Sequence, residues 1–185
     1  MMPEIALNIL DVAENSIRAK ASLVEISVSV RPKEDRMEVI IRDNGCGMDT
    51  EQVKKVQDPF FTTRKTRKVG LGVPFFKQAA ECTGGTFSIT SEKGKGTQVN
   101  ASFVLSSIDR MPLGDISGTI HTLVVFHPDR DFIYRYIYDD KSFVLDTREM
   151  REILGDISFR EPEVSSFLSE YLTENKQTVD GGVEI

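Results

Sequence analysis

The stretch Asp43-Asn44-Gly45-Cys46-Gly47-Met48 follows Met37-Glu38-Val39-Ile40-Ile41-Arg42, whose alternation predicts a strand entering a core. An acid followed by two glycines, one residue apart, lets backbone approach a flat ligand while a carboxylate accepts a hydrogen bond. Asp-Asn-Gly is also ordinary turn chemistry. What stands before and after these six residues decides between the two readings.

Upstream, residues 3–21 read as a helix, with Leu7, Leu10, Ala13 and Ile17 giving an apolar face. Beside that face run Asp11, Asn15 and Arg18, spaced four and then three, on one side of the helix. A carboxylate, an amide oxygen and a guanidinium on one stripe suit a water, a hard cation and phosphates. They also suit a solvated polar face. Residues 23–31 then read as a strand with Val24, Ile26, Val28 and Val30 on one face, and with residues 37–42 they form a hairpin.

Downstream, Asp49-Thr50-Glu51 starts a short helix. The 22 residues from Met48 to Val69 have little regular pattern, and a loop that long inside a domain is usually functional. It holds Pro59-Phe60-Phe61-Thr62-Thr63 and a basic run from Arg64 to Lys68. Cations opposite Gly70-Leu71-Gly72, before a helix over residues 73–82, suggest a place for anionic oxygens near exposed amides. Gly70-Leu71-Gly72 is no dinucleotide fingerprint, since Phe75 stands where the third glycine belongs. Gly94-Lys95-Gly96-Thr97 is no Walker loop, since the lysine is followed by glycine. Residues 86–90 and 97–105 read as strands around that turn.

Composition limits the classes. The chain has 185 residues, 39% hydrophobic and 28% charged, as an ordinary globular protein has. No apolar run reaches the roughly 18 residues needed to span a bilayer, and no leader segment is apparent. Cys46 and Cys82 provide neither a disulfide framework nor metal spacing, so a cytoplasmic setting is expected. Residues 1–105 carry 15 Lys and Arg against 13 Asp and Glu; residues 106–185 carry 8 against 16. Neither half offers a broad basic field, so neither nucleic acid nor membrane is an expected partner. The acidic half would suit a basic protein partner or a solvated surface.

The order of parts resembles the GHKL ATPase superfamily, which holds gyrase, heat-shock chaperones, MutL-type repair proteins and histidine kinases. The parts are Asp11-x-x-x-Asn15, Asp43-x-Gly45-x-Gly47, Pro59-Phe60-Phe61-Thr62-Thr63, Gly70-Leu71-Gly72, Gly84-Gly85 and Gly94-x-Gly96-Thr97. The likeness covers residues 4–105 and is greatest to the catalytic ATP-binding domain of sensor histidine kinases. It implies an α/β (α+β) two-layer sandwich of Bergerat type, a mixed sheet covered by helices on one face. It implies ATP and magnesium as ligands. Asp43 would accept from the adenine amine, with Thr97 beside it and Gly45, Gly47 and Met48 near the base. Asn15 would hold magnesium. Arg18, Lys68, Val69, Gly70, Leu71 and Gly72 would serve the phosphates, with Phe60 and Phe61 anchoring the lid. ATP-hydrolysing members carry a glutamate four residues before the asparagine. Here that candidate general base is Asp11, one methylene shorter.

Residues 106–185 are expected to form a small α+β extension for partner docking or dimerisation, the first domain being 1–105. Residues 132–138 and 142–145 read as a hairpin, 147–154 and 161–174 as helices, 116–126 as helix or strand, and the last ten residues as frayed. The four aromatics Phe132, Tyr134, Tyr136 and Tyr138 are expected to pack on the helices. His121 and His127 are the only histidines; His121 is expected to be structural and His127 a turn residue. A phosphoacceptor would then come from a separate protein. The run Asp109-Arg110-x-Pro112-Leu113-Gly114-Asp115 adds a resemblance to small stand-alone ATP-binding proteins encoded with iron-only hydrogenases, which implies a hydrogenase-related partner. The functional expectation is a stand-alone histidine-kinase-like module that phosphorylates or regulates a partner. The alternatives are an ATP-gated binding protein without turnover and a slow ATPase using Asp11.

Overall fold

The computed structural model describes residues 3–60 and 71–185. In chain order the elements are α1 (Ile5–Arg18), β1 (Leu23–Arg31), β2 (Arg36–Asp43), α2 (Thr50–Val56), α3 (Gly72–Glu81), β3 (Phe87–Glu92) and β4 (Gly96–Val104). Then come α4 (Ile116–Phe126), β5 (Asp131–Tyr138), β6 (Lys141–Asp146), α5 (Thr147–Leu154) and α6 (Pro162–Asp180).

The six strands form one mixed sheet in the order β3-β4-β2-β1-β5-β6. All neighbours are antiparallel except β1 and β5, which run parallel with Val24 opposite Phe132 and Val30 opposite Tyr138. The strands of residues 106–185 therefore extend the sheet of the first 105 residues beyond β1. A parallel neighbour needs a crossover, and α4 supplies it. The alternation predicted for β1 is the observed one, with Val24, Ile26, Val28 and Val30 buried under the helices. Fully buried Phe76 of α3 packs between Phe87 and Phe103.

Two expectations change and one open choice is resolved. The buried face of α1 is Ile5, Ala6, Ile9, Val12, Ala13 and Ser16, whereas Leu7, Leu10 and Ile17 are only half-buried. The helix packs against both the sheet and α4, so its covered arc is rotated from the stripe that leucines alone would pick. Residues 116–126 are helical. The C-terminus is not frayed: α6 runs to Asp180, Val179 and Asp180 are buried, and the Leu113 N–H donates to the Ile185 carbonyl.

Two links tie residues 112–115 to the start of α1. The Ile5 and Ala6 N–H groups, which a helix start leaves without intrahelical partners, donate to the Pro112 and Leu113 carbonyls at 2.9 Å each. The Asp115 N–H donates to the Glu4 carboxylate at 2.8 Å.

The Asp180 carboxylate is buried under α6 and β5. It accepts from Lys176 Nζ at 2.6 Å, the Tyr136 hydroxyl at 2.9 Å and, on its other oxygen, the Gly182 N–H at 2.9 Å. Burial alone would push this carboxyl up, but the three donors outweigh it and hold it below the ordinary carboxylate range. Burial pushes the phenols of Tyr134 and Tyr136 up, with the Asp180 charge adding to the effect. A depressed carboxyl stabilises the fold above its unfolded pKa, and that stabilisation is lost as pH falls through the folded value. Asp180→Asn should therefore cost about 1–3 kcal/mol at pH 7. The gap to the parent should close as pH drops below about 4, read from urea unfolding at each pH.

Candidate functional site

Asp43 is the last residue of β2, opposite Val24 of β1 and Thr97 of β4. Its carboxylate is held from two sides. The Ser16 hydroxyl of α1 donates to one oxygen at 2.6 Å, and the Gly45 N–H donates to the other at 2.9 Å. Asn44 fastens the loop to the turn between α1 and β1. Its amide oxygen accepts from the Ser22 and Leu23 N–H groups at 2.9 and 3.0 Å, and its amide nitrogen donates to the Ser22 hydroxyl at 2.8 Å.

The room left by the two glycines is taken by the protein's own backbone. A Cβ on Gly45 would stand 2.8 Å from the Ala19 carbonyl oxygen, and one on Gly47 only 2.0 Å from that of Glu92. Gly47 also has φ +66°, in the left-handed region. The loop is thus wedged between the end of α1 and the β3–β4 turn. The Cys46 N–H donates to the Ala19 carbonyl at 2.9 Å, and the Gly94 N–H to the Cys46 carbonyl at 2.7 Å. The Met48 N–H donates to the Ser91 hydroxyl at 2.8 Å, which lies 2.8 Å from the Thr97 hydroxyl.

This loop is one wall of a cavity of about 310 Å³, a size suited to a small molecule. Val12, Ile41, Ile89 and Val99 give one end an apolar lining, with Asp43, Met48 and Thr97 beside them. At the other end stand Asn15 and Arg18 of α1, with Leu71 and Gly72 at the start of α3. Arg18 donates to the Asn15 amide oxygen. Among the described residues no side chain caps α3; Gly72 and Val73, whose N–H groups lack intrahelical partners, line this end of the cavity, while Pro74 has no N–H. Gly72 allows close approach: a Cβ there would stand 3.3 Å from Asp11 Cβ and 3.7 Å from the Asn15 amide nitrogen.

Eight of the expected residues therefore line one cavity: Asn15, Arg18, Asp43, Gly47, Met48, Leu71, Gly72 and Thr97. Asp11 stands against Gly72 one turn before Asn15, and Gly45 stands behind Asp43; neither lines the cavity. Phe61, Lys68, Val69 and Gly70 lie outside the described residues. The sequence reading missed Ser16, Ser91, Cys46 and Gln52. Ser16 was discoverable, because it follows Asn15 and lies one turn beyond Val12. Ser91 depends on the β3–β4 register that sets it opposite Thr97.

Both histidines bridge helices. His121 Nε2 lies 3.0 Å from both the carbonyl and the hydroxyl oxygen of Ser165 in α6, and His127 Nε2 lies 2.7 Å from a Glu14 carboxylate oxygen in α1. Among the described residues no cluster of three His, Cys, Asp or Glu side chains could hold a metal ion. Among the same residues no helix is long and apolar enough to cross a membrane.

The family described as histidine kinase-, DNA gyrase B- and HSP90-like ATPase matches residues 4–107. That is more than half of the chain, and the chain belongs to this family. Two relatives are sensor proteins of bacteria. A putative sensor protein of Shewanella frigidimarina (strain NCIMB 400) is 32% identical over 108 residues, which cover 57% of this chain and 16% of that protein. The signal transduction histidine-protein kinase AtoS of Escherichia coli (strain K12) is 34% identical over 97 residues, 52% of this chain and 15% of that one. The chain thus spans well under a fifth of the length of these relatives. The crystal structure of the N-terminal domain of a DNA repair protein shares the fold, with a TM-score of 0.57 at 15% identity over 78% of this chain and 53% of that one.

The wedge at Gly47 gives a direct test. Gly47→Ala should lower stability by about 2 kcal/mol or more, since it combines a left-handed φ with a clash against backbone. Thermal unfolding of the variant beside Gly94→Ala, where a Cβ would meet nothing within 4 Å, separates the clash from the φ effect.

Proposed function

We propose that the cavity binds ATP with magnesium. The observation that carries this is the convergence of Asp43, Asn15, Arg18 and the uncapped start of α3 on one apolar-walled cleft. The groups fit. The Asp43 carboxylate, already fixed by two donors, keeps lone pairs for an amine of the base. The apolar walls suit the faces of a purine ring. The first-turn amides of α3 and the Arg18 guanidinium suit phosphate oxygens. The Asn15 amide oxygen suits magnesium, whose chemistry is to neutralise phosphate charge.

The guanidinium beside Asn15 sets a condition. A bare dication would meet a single neutral oxygen that already accepts from Arg18, with the Asp11 carboxylate one turn away, so it binds firmly only together with phosphates. Calorimetry should show no magnesium binding by the protein alone at millimolar concentration. Magnesium should tighten nucleotide binding.

Beyond binding, the reading is transfer of the terminal phosphoryl group to a separate protein, or regulation of that protein. A phosphoacceptor or hydrogenase-related protein would fill that place. Both histidines of this chain are engaged between helices, which supports an acceptor on another chain. Histidine kinases among the relatives support the same class. An ATP-gated binding protein without turnover is the alternative. Slow hydrolysis is favoured by one observation: Asp11 stands at the phosphate end, against Gly72 and one turn from Asn15.

Labelled ATP with magnesium separates these readings through bound nucleotide, free phosphate and labelled protein. Binding should fall at least tenfold in Asp43→Ala and in Asn15→Ala, from the loss of a half-buried acceptor or the metal's oxygen ligand. Unchanged affinity in both removes the site assignment. Free phosphate abolished by Asp11→Asn supports hydrolysis. Tight binding with neither product, partners present, leaves the gated binder.

A further inference from the structure

We infer that Ser16 and Ser91 are positioning residues: by committing the protons around Asp43 and Thr97 they make that end of the cavity an all-acceptor surface and set how strongly it discriminates for an amino group at the purine 6-position. The inference rests on the nucleotide reading above and deepens it. Neither serine belongs to the motifs that carry the family resemblance.

The protons can be placed from the contacts. Ser91 Oγ lies 2.9 Å from the Gly96 carbonyl oxygen, 2.8 Å from the Met48 backbone nitrogen and 2.8 Å from Thr97 Oγ1. A carbonyl oxygen only accepts and a backbone N–H only donates. One arrangement turns all three contacts into hydrogen bonds. Ser91 donates to Gly96, accepts from Met48 and accepts from Thr97. The Thr97 proton is then committed to Ser91, and Thr97 offers the cavity lone pairs only.

Asp43 is treated alike from the other side. The buried Ser16 hydroxyl and the Gly45 N–H each donate to one of its oxygens. Their bonds fix the plane of the carboxylate and leave it an acceptor. Thr97 is opposite Asp43 in the β2–β4 register, and both line the cavity. Two acceptors side by side call for donors on the ligand. A 6-amino purine provides them. A 6-keto purine presents an oxygen there, acceptor against acceptor, and a purine without a 6-substituent leaves both groups unpaired. Ser16 acts through Asp43 and Ser91 through Thr97; Ser16 also lines the cavity, but its proton is committed to Asp43.

The test is equilibrium binding of three magnesium nucleotides: ATP, GTP and purine riboside triphosphate, which lacks the 6-amino group. The proteins are the parent, Ser16→Ala, Ser91→Ala and the conservative Ser16→Thr and Ser91→Thr. The parent should prefer ATP over purine riboside triphosphate by about tenfold or more. Each alanine variant should shrink that preference by about threefold to tenfold while binding purine riboside triphosphate within about twofold of the parent. At least one threonine variant, which restores the hydroxyl, should recover the preference. A variant that weakens all three nucleotides equally, or leaves the preference unchanged, overturns the inference. A parent that binds none of the three overturns the nucleotide reading itself, and this inference with it. An inference that fails alone shows as normal ATP binding with an unaltered ratio.

Discussion

The backbone groups at the two ends of α1 constrain the molecule more than any single side chain does. A helix leaves its first amides and last carbonyls without intrahelical partners, and burial makes such orphans costly. At the start of α1 the first two amides are satisfied by the carbonyls of Pro112 and Leu113, from a segment more than 100 residues away in sequence. At its end the Ala19 carbonyl accepts from Cys46, inside the Asp43 loop. The helix that carries Asn15 and Arg18 is therefore tied at one end to the C-terminal part and at the other to the Asp43 loop. Its position along its own axis is fixed by hydrogen bonds rather than by apolar packing alone.

The sides of α1 are as fully used as its ends. One arc buries Ile5, Ile9 and Val12. Ser16, on its rim, steadies Asp43. Asp11 and Asn15 lie along Gly72, where only a hydrogen fits comfortably. Glu14, on another side, meets His127 at the end of α4. Helices offer neighbouring positions only at three- and four-residue spacing. Moving Asp11-x-x-x-Asn15-x-x-Arg18 back by one residue would set Asn15 against His127 and Glu14 into the buried position of Ala13.

Much of this was legible in the sequence, and the rest was not for physical reasons. The alternation of β1 and β2 and the turn at residues 139–141 report local backbone preferences, so the hairpins could be placed. That Asp43 and Asn15 stand at one cavity was legible from the order of parts and not from either stretch alone, since each by itself also reads as a turn or a solvated helix face. The parallel pairing of β1 with β5 was not. It joins residues over 100 apart, and its signature, buried Phe132, Tyr134 and Tyr136, is shared by any hairpin packed on helices. The ordered C-terminus was hidden because Gly181-Gly182 looks like a frayed end. In fact Gly181 ends α6 in a left-handed conformation, as helix ends commonly do, and Gly182 gives its N–H to Asp180. Ser16 and Ser91 escaped notice because serine is common, and its meaning here comes from what stands opposite it across the fold.

These ties bear on how the cavity and the C-terminal part can influence each other. Asn44, between Asp43 and Gly45, holds Ser22 and Leu23, and the Ser22 carbonyl accepts from the Asp131 N–H at the first residue of β5. Arg151 of α5 in turn donates to the Asp131 carboxylate at 3.1 Å and to the Arg130 carbonyl. A continuous chain of hydrogen bonds thus runs from the Asp43 loop to α5. A second route runs from Asn15 through its neighbour Glu14 to His127, where Arg160 also reaches the carbonyls of Val125 and Phe126 at the end of α4. Contact alone does not make a switch, because coupling requires two arrangements that differ in energy. The physical consequence is narrower. A displacement of α1 would strain its ties to Pro112, Leu113 and His127 on one side and to Cys46 and Asp43 on the other, so residues 106–185 would share it with the Asp43 loop.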